Sequence, residues 1–138
     1  MVFVTAGIFV NGDQVLLAQR KKSDKFGLKW EFPGGKIIDG ETPEKCLKRE
    51  LLEEFQVEVE VGSFLMESMF DYGDIQVVLL VYWIDTYHGK FIMNSHERIN
   101  WVSVIDLDKY NLLEADRPIA KKLMRDWNVL RLHSQRVR

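Results

Sequence analysis

Between Gly34 and Val57 the chain combines a glycine pair, a capped helix and three carboxylates on one helical face, and no other stretch limits the fold so narrowly. Thr42 suits the N-cap, where its hydroxyl can accept from a first-turn amide, and Pro43 suits the first helical position, where no N–H is needed. The spacing predicts a helix from there to about Phe55, with Leu47, Leu51 and Phe55 as its apolar stripe. On that helix Glu50, Glu53 and Glu54 fall within an arc of roughly 100°. Like charges at i, i+3 and i+4 destabilise a bare helix. Glu54 also sits about 20° from Leu47 around the axis. A carboxylate partly desolvated there is costly without a positive partner. A solvated acidic face is the plainer reading. The position of Glu54 and the bare backbone of Gly34-Gly35, which a ligand can approach closely, favour a cation site. Oxygen donors of this kind suit Mg²⁺ or Mn²⁺ rather than zinc.

The rest of the chain predicts strands and one more helix. Residues 3–20 read as a hairpin around Asn11-Gly12. Residues 21–28 form a polar, basic loop, and Trp30-Glu31-Phe32 is extended. Pro33-Gly34-Gly35 breaks the strand and Lys36-Ile37-Ile38 resumes it. Residues 57–61 alternate with period 2 and form a strand. Residues 64–72 and 75–87 make a second hairpin around Gly73-Asp74, and the run 77–81 is apolar enough to be buried on both faces. Residues 101–104 are a short strand. A last helix starts near Pro118, with Ile119, Leu123, Trp127 and Leu130 at helical spacing as a core-facing stripe. Together these give an α/β (α+β) chain, a mixed sheet between helices, in one domain spanning residues 1–138.

The 138 residues carry a formal charge of −2, which argues against a protein that coats nucleic acid. Cys46 is the one cysteine, so no intrachain disulfide forms, and a reducing compartment is expected. The first residues lack a basic stretch and cleavage site, and the longest apolar run is too short for a membrane helix. A cytoplasmic protein without membrane or nucleic-acid partners follows. His88, His96 and His133 show no metal-ligand spacing, and Cys46 reads as a packing residue.

Gly35, Glu41, Arg49-Glu50-Leu51, Glu53-Glu54 and Gln56-Val57 resemble the Nudix box, residues 35–57 here, at eight of its nine specified positions. The departure is Gln56, where the family has glycine. That position closes the helix in a left-handed conformation. Residues 16–20, 30–36 and 114–118 extend the resemblance to the MutT and CTP pyrophosphohydrolase branch, so a Nudix-like α/β/α sandwich is expected.

The resemblance implies the chemistry. Glu50, Glu53 and Glu54 would hold a divalent metal, Mg²⁺ or Mn²⁺, with the backbone carbonyl of Gly34. Arg49 would orient a catalytic glutamate, with Glu53 as its partner, and Glu41 would support the loop. Glu53 is the first candidate for the general base, and the 94–97 segment, with Glu97, is the alternative. Arg20 and Lys36 would approach phosphates or sugar, and Phe32, beside Glu31, would contact the base. Asp116 would hydrogen-bond the base edge, or simply cap the last helix. The expected substrate is a small nucleotide, with the protein a monomer or small homo-oligomer. The leading reaction is Mg²⁺-dependent hydrolysis of an oxidised purine or cytidine triphosphate to monophosphate and pyrophosphate. ADP-ribose or another nucleoside diphosphate derivative is the alternative substrate. A non-catalytic nucleotide-sensing domain is the reading from another class, and the intact carboxylates count against it.

Overall fold

The computed structural model describes the backbone of residues 1–137 and the side chains of residues 1–131. In chain order the strands are β1 (Val2–Ile8), β2 (Val10–Asn11), β3 (Gln14–Arg20), β4 (Trp30–Glu31) and β5 (Gly34–Lys36). Helix α1 (Pro43–Phe55) follows, then β6 (Glu58–Asp71), β7 (Gln76–His88) and β8 (His96–Ser103). Short 3-10 turns at Val104–Lys109 and Glu114–Asp116 lead into helix α2 (Arg117–Val137).

The expected mixed sheet has the order β5-β1-β7-β6, with β1 parallel to β7 and the other pairs antiparallel. A second sheet joins β2, β3 and β4, with β8 paired to the other side of β3. Alternation along the strands sends side chains to two cores. Leu47, Leu51 and Phe55 of α1 pack with Phe9, Leu16 and Ile84 in one. Ile119 and Leu123 of α2 pack with Ile8, Leu17 and Trp83 in the other, with Trp127 and Leu130 at its margin. The helices therefore flank the strand layers, and the apolar stripes of both fall where their periodicity places them. Of the stretch 131–138, which the sequence offers beside the sheet edges as a dimer contact, the side chains after Arg131, His133 included, lie outside the described residues.

Several local expectations change. Residues 3–20 are not one hairpin: β1 leaves for the first sheet, while β2 and β3 pair in the second. Ala6 and Ile8 on β1 feed one core and the adjoining Phe9 the other, so the chain passes between layers there. The turn is also offset by one residue. Asn11 pairs with Gln14, which leaves Gly12-Asp13 as the loop. Only Gly12 takes a positive φ (61°), as glycine does at the first central position of a type II′ turn. Gly34-Gly35 do not break a strand but form β5 with Lys36, opposite Ala6 and Thr5. The stretches expected at 57–61 and 64–72 merge into one long strand, β6, which begins at Glu58 and ends at Asp71. Its register shifts between Glu60 and Met66 absorb Gly62-Ser63 as a bulge instead of ending the strand. The strand expected at 101–104 starts earlier, at His96. The Gly73-Asp74 hairpin stands as expected, closed by Tyr72 N–H donating to the Ile75 carbonyl at 2.8 Å.

Helix α1 begins and ends as its sequence dictates. Thr42 accepts from Lys45 N–H at 3.2 Å. Gln56 closes the helix at φ 57° and ψ 34°, its N–H donating to Leu52. A side chain in that left-handed region costs about 1 kcal/mol that glycine avoids. Gln56→Gly is expected to raise stability by about that amount, or roughly 2–4 °C in Tm. Urea unfolding of the two proteins checks it, and an unchanged midpoint would show that the cap carries no strain.

Candidate active site

The carboxylate face of α1 is organised by one guanidinium. Arg49 Nε and Nη2 donate to both oxygens of Glu41 at 2.6 and 2.9 Å. Its Nη1 reaches Glu50 at 3.0 Å and Glu53 at 3.2 Å, and Nη2 also donates to the Lys36 carbonyl at 3.2 Å. The bidentate partner of Arg49 is thus Glu41; the expected partner, Glu53, is a single-point contact with a 59 % exposed side chain. Arg49 pulls the Glu41 carboxyl down to about 2, and Glu41 in turn raises Arg49 above its ordinary value. Glu41 also accepts from Ile38 N–H, so it ties the loop before α1 to the helix.

Glu54 lies on the inner side. Burial pushes its carboxyl up to about 7, with His96 opposing the shift and the negative charge of Glu50 and Glu31 adding to it. Glu50 packs against Gly35, where an added Cβ would overlap its carboxylate. Thr5 Oγ1 donates to the Gly35 carbonyl at 3.2 Å. Among the described residues no three His, Cys, Asp or Glu side chains are gathered as a preformed cation cage. Glu50 and Glu53 turn to Arg49 instead. The donor chemistry fits a divalent cation all the same. A half-buried carboxylate crowded by two others lowers its energy by gaining positive charge, and oxygen donors match hard ions.

From Glu54 a cleft of about 440 Å³ opens between the sheets. Gly34 and Lys36 line it on one side, and Arg20, Glu31, Phe32 and Asp116 on the other. Seven of the candidate site residues therefore meet in one cavity, Glu54 being the seventh, while Arg49, Glu50 and Glu53 stand on α1 beyond its lining. Arg20 Nη1 pairs with Glu31 at 3.3 Å. Phe32 is 3 % exposed, a core residue as well as a wall. Asp116 lies in the Glu114–Asp116 turn before α2. Its carboxylate accepts from Phe32 N–H at 2.8 Å, the one side-chain hydrogen bond it makes among the described residues, so it does not cap α2.

Two positions near the site escaped the sequence reading or moved. His96, set aside for lack of ligand spacing, is buried against Glu31 and Glu54. Glu97, the alternative base, is exposed on β8. Strand alternation separates the two, and it shows only once β8 is known to begin at His96.

Burial raises Asp116 well above the usual carboxylate range, and nearby Glu31 adds to the shift. The folded protein prefers the neutral acid. The stability Asp116 lends is complete below the ordinary pKa of about 3.9 and is lost as pH climbs from there toward the raised value. Asparagine is neutral throughout and still accepts from Phe32 N–H. The Tm of Asp116→Asn relative to wild type should therefore be higher at pH 8 than at pH 4. Thermal scans across that range check it, and a pH-independent difference would refute it.

The family model for the NUDIX domain matches residues 1–127. The CTP pyrophosphohydrolase of Escherichia coli is 33 % identical over 125 residues, 90 % of this chain and 92 % of that protein. An 8-oxo-dGTP diphosphatase of Haemophilus influenzae is 30 % identical over 127 residues, covering 91 % and 93 %. The solution structure of the E. coli ORF135 protein superposes with a TM-score of 0.83 at 29 % identity, covering 95 % of this chain and 93 % of that one.

Proposed function

Because the chain belongs to the Nudix family, a hydrolase family that generally works with a divalent metal, we propose that it hydrolyses a nucleoside triphosphate to a monophosphate and pyrophosphate. Residues 1–138 would form one Nudix hydrolase domain, with Mg²⁺, or Mn²⁺ in its place, as the metal. The carrying observation is the cleft, which sets the polar and aromatic wall of Phe32 and Asp116 against Glu54 of the carboxylate helix. Relatives acting on CTP and on 8-oxo-dGTP support an oxidised purine or cytidine triphosphate as substrate.

In this reading Phe32 and Asp116 hold the base, Asp116 using the oxygen that Phe32 N–H does not occupy. Arg20 and Lys36 meet phosphate or sugar oxygens. Glu50, Glu53, Glu54 and the Gly34 carbonyl would hold the cation, which would neutralise phosphate charge and acidify water. Arg49 keeps Glu53 turned along the helix face, where it accepts the proton of the attacking water. Water adds to one phosphorus, the bridging P–O bond breaks, and pyrophosphate leaves. The buried, unpaired Cys46 fits work in a reducing cytoplasm. No helix among the described residues is long and apolar enough to cross a membrane.

The test is a panel of 8-oxo-dGTP, dCTP, CTP, the standard triphosphates and ADP-ribose with Mg²⁺, assayed separately for pyrophosphate and phosphate. Magnesium-dependent pyrophosphate release from a triphosphate is expected. ADP-ribose outpacing every triphosphate would move the substrate to the diphosphate derivatives. Silence from folded, metal-binding protein would favour a diphosphate substrate outside the panel first and a sensing domain second.

A further inference from the structure

His96 joins the carboxylate helix to the opposite wall of the cleft, and no step of the proposed reaction uses it. It opens β8 opposite Arg20 of β3, and its side chain is 5 % exposed. The ring stacks on Phe55 of α1, with centroids 5.0 Å apart and planes at 20°. Nε2 lies 2.7 Å from one oxygen of Glu31, whose other oxygen receives Arg20. A carboxylate held by an arginine only accepts, so Nε2 carries a hydrogen, and a metal-binding Glu54 carboxylate likewise only accepts, so Nδ1 holds it by carrying a second one. Nδ1 faces Glu54 Oε2 at 3.8 Å, beyond hydrogen-bonding distance. It has no other partner among the described residues. A buried nitrogen left without a partner costs free energy, so native sites rarely hold one for packing alone.

We propose that His96 is a positioning residue that holds Glu31 on Nε2 and guides Glu54 on Nδ1, so that one ring sets both the Arg20 wall and the metal-binding face of α1. The inference rests on the proposed role of Glu54 as a metal ligand. Its physical content is a division of labour between two nitrogens. Partners behind a ligand fix its orientation, and their loss typically weakens metal binding or activity about 10–100-fold. A ring that only packed on Phe55 would be replaceable by phenylalanine.

The experiment compares wild type with His96→Phe, His96→Gln and His96→Asn. Mn²⁺ affinity is read by electron paramagnetic resonance without nucleotide, and KM and kcat are read on the triphosphate that wild type hydrolyses. His96→Phe should stay folded and bind Mn²⁺ about 10–100-fold more weakly. A glutamine amide reaches the place of Nε2 and an asparagine amide that of Nδ1. The Gln variant should therefore keep KM near wild type while losing Mn²⁺ affinity, and the Asn variant should do the reverse. Should the Phe variant not fold, that opposite pattern alone decides. Phe-variant values of Mn²⁺ affinity and KM both within about two-fold of wild type, or equal losses in all variants, would overturn the role of His96. A wild type that neither binds Mn²⁺ nor hydrolyses any nucleotide overturns the proposed function instead.

Discussion

Replacing Glu53 by glutamine is expected to lower kcat by about 10²–10⁴-fold while leaving Tm almost unchanged. The two halves of this expectation have separate origins. The Glu53 side chain is 59 % exposed, and its one ion pair among the described residues is an i,i+4 contact to Arg49 at 3.2 Å. Such pairs contribute about 0.3–0.5 kcal/mol, so the fold hardly depends on it. Arg49 also keeps its bidentate hold on Glu41 and its contact with Glu50. Glutamine has the same shape and still offers Arg49 an oxygen. It cannot take a proton, and it binds a divalent cation far less well than a carboxylate. The loss should therefore fall on turnover. Glu97→Gln is the companion variant. Glu97 is exposed on β8, and its loss should leave kcat within about two-fold, as for an ordinary surface position. Steady-state kinetics at saturating Mg²⁺ separates the two. A full-rate Glu53→Gln beside a crippled Glu97→Gln would transfer the role of base to the start of β8.

The difference between these two glutamates shows where the sequence was legible. Glu53 sits on a helix whose start, stripe and end are all written locally. Thr42 and Pro43 open it, Leu47, Leu51 and Phe55 orient it, and even the departure at Gln56 adopts the left-handed close that the pattern demands. The shared face of Glu50, Glu53 and Glu54 was readable for the same reason, since helical spacing converts directly into a common face. The separation of β1 from β3 was not readable, because β1 pairs in parallel with β7, far along the chain. The local apolar pattern of β1 serves equally well in either sheet. Asp116 showed both a capping and a binding signature, and its contact with Phe32 N–H takes away the capping one. His96 gave no local signal at all. Its meaning comes from Glu31 and Glu54, which reach it from a different strand and from the helix.

Gly34 and Gly35 should separate stability from activity. Both lie in β5 and neither takes a positive φ, so their need for glycine is a matter of close approach rather than backbone strain. A Cβ on Gly34 would overlap the Thr5 carbonyl oxygen and crowd Ala6 Cα, which are backbone atoms of the paired strand. They can yield only if β5 lifts from β1. Gly34→Ala is therefore expected to cost about 3 kcal/mol or more, roughly a 10 °C fall in Tm. A Cβ on Gly35 meets the outer end of the Glu50 side chain instead, which can swing aside. Gly35→Ala should fold with a small change in Tm but displace Glu50 from its place beside Arg49 and Glu54. A shift of about 1 Å in such a group costs on the order of 10²-fold in rate. Thermal unfolding and kcat, measured on both variants, decide the matter. If Gly35→Ala unfolds while Gly34→Ala is tolerated, the strand faces are assigned the wrong way round. If Gly35→Ala keeps full activity with Glu50 displaced, Glu50 is not one of the working carboxylates.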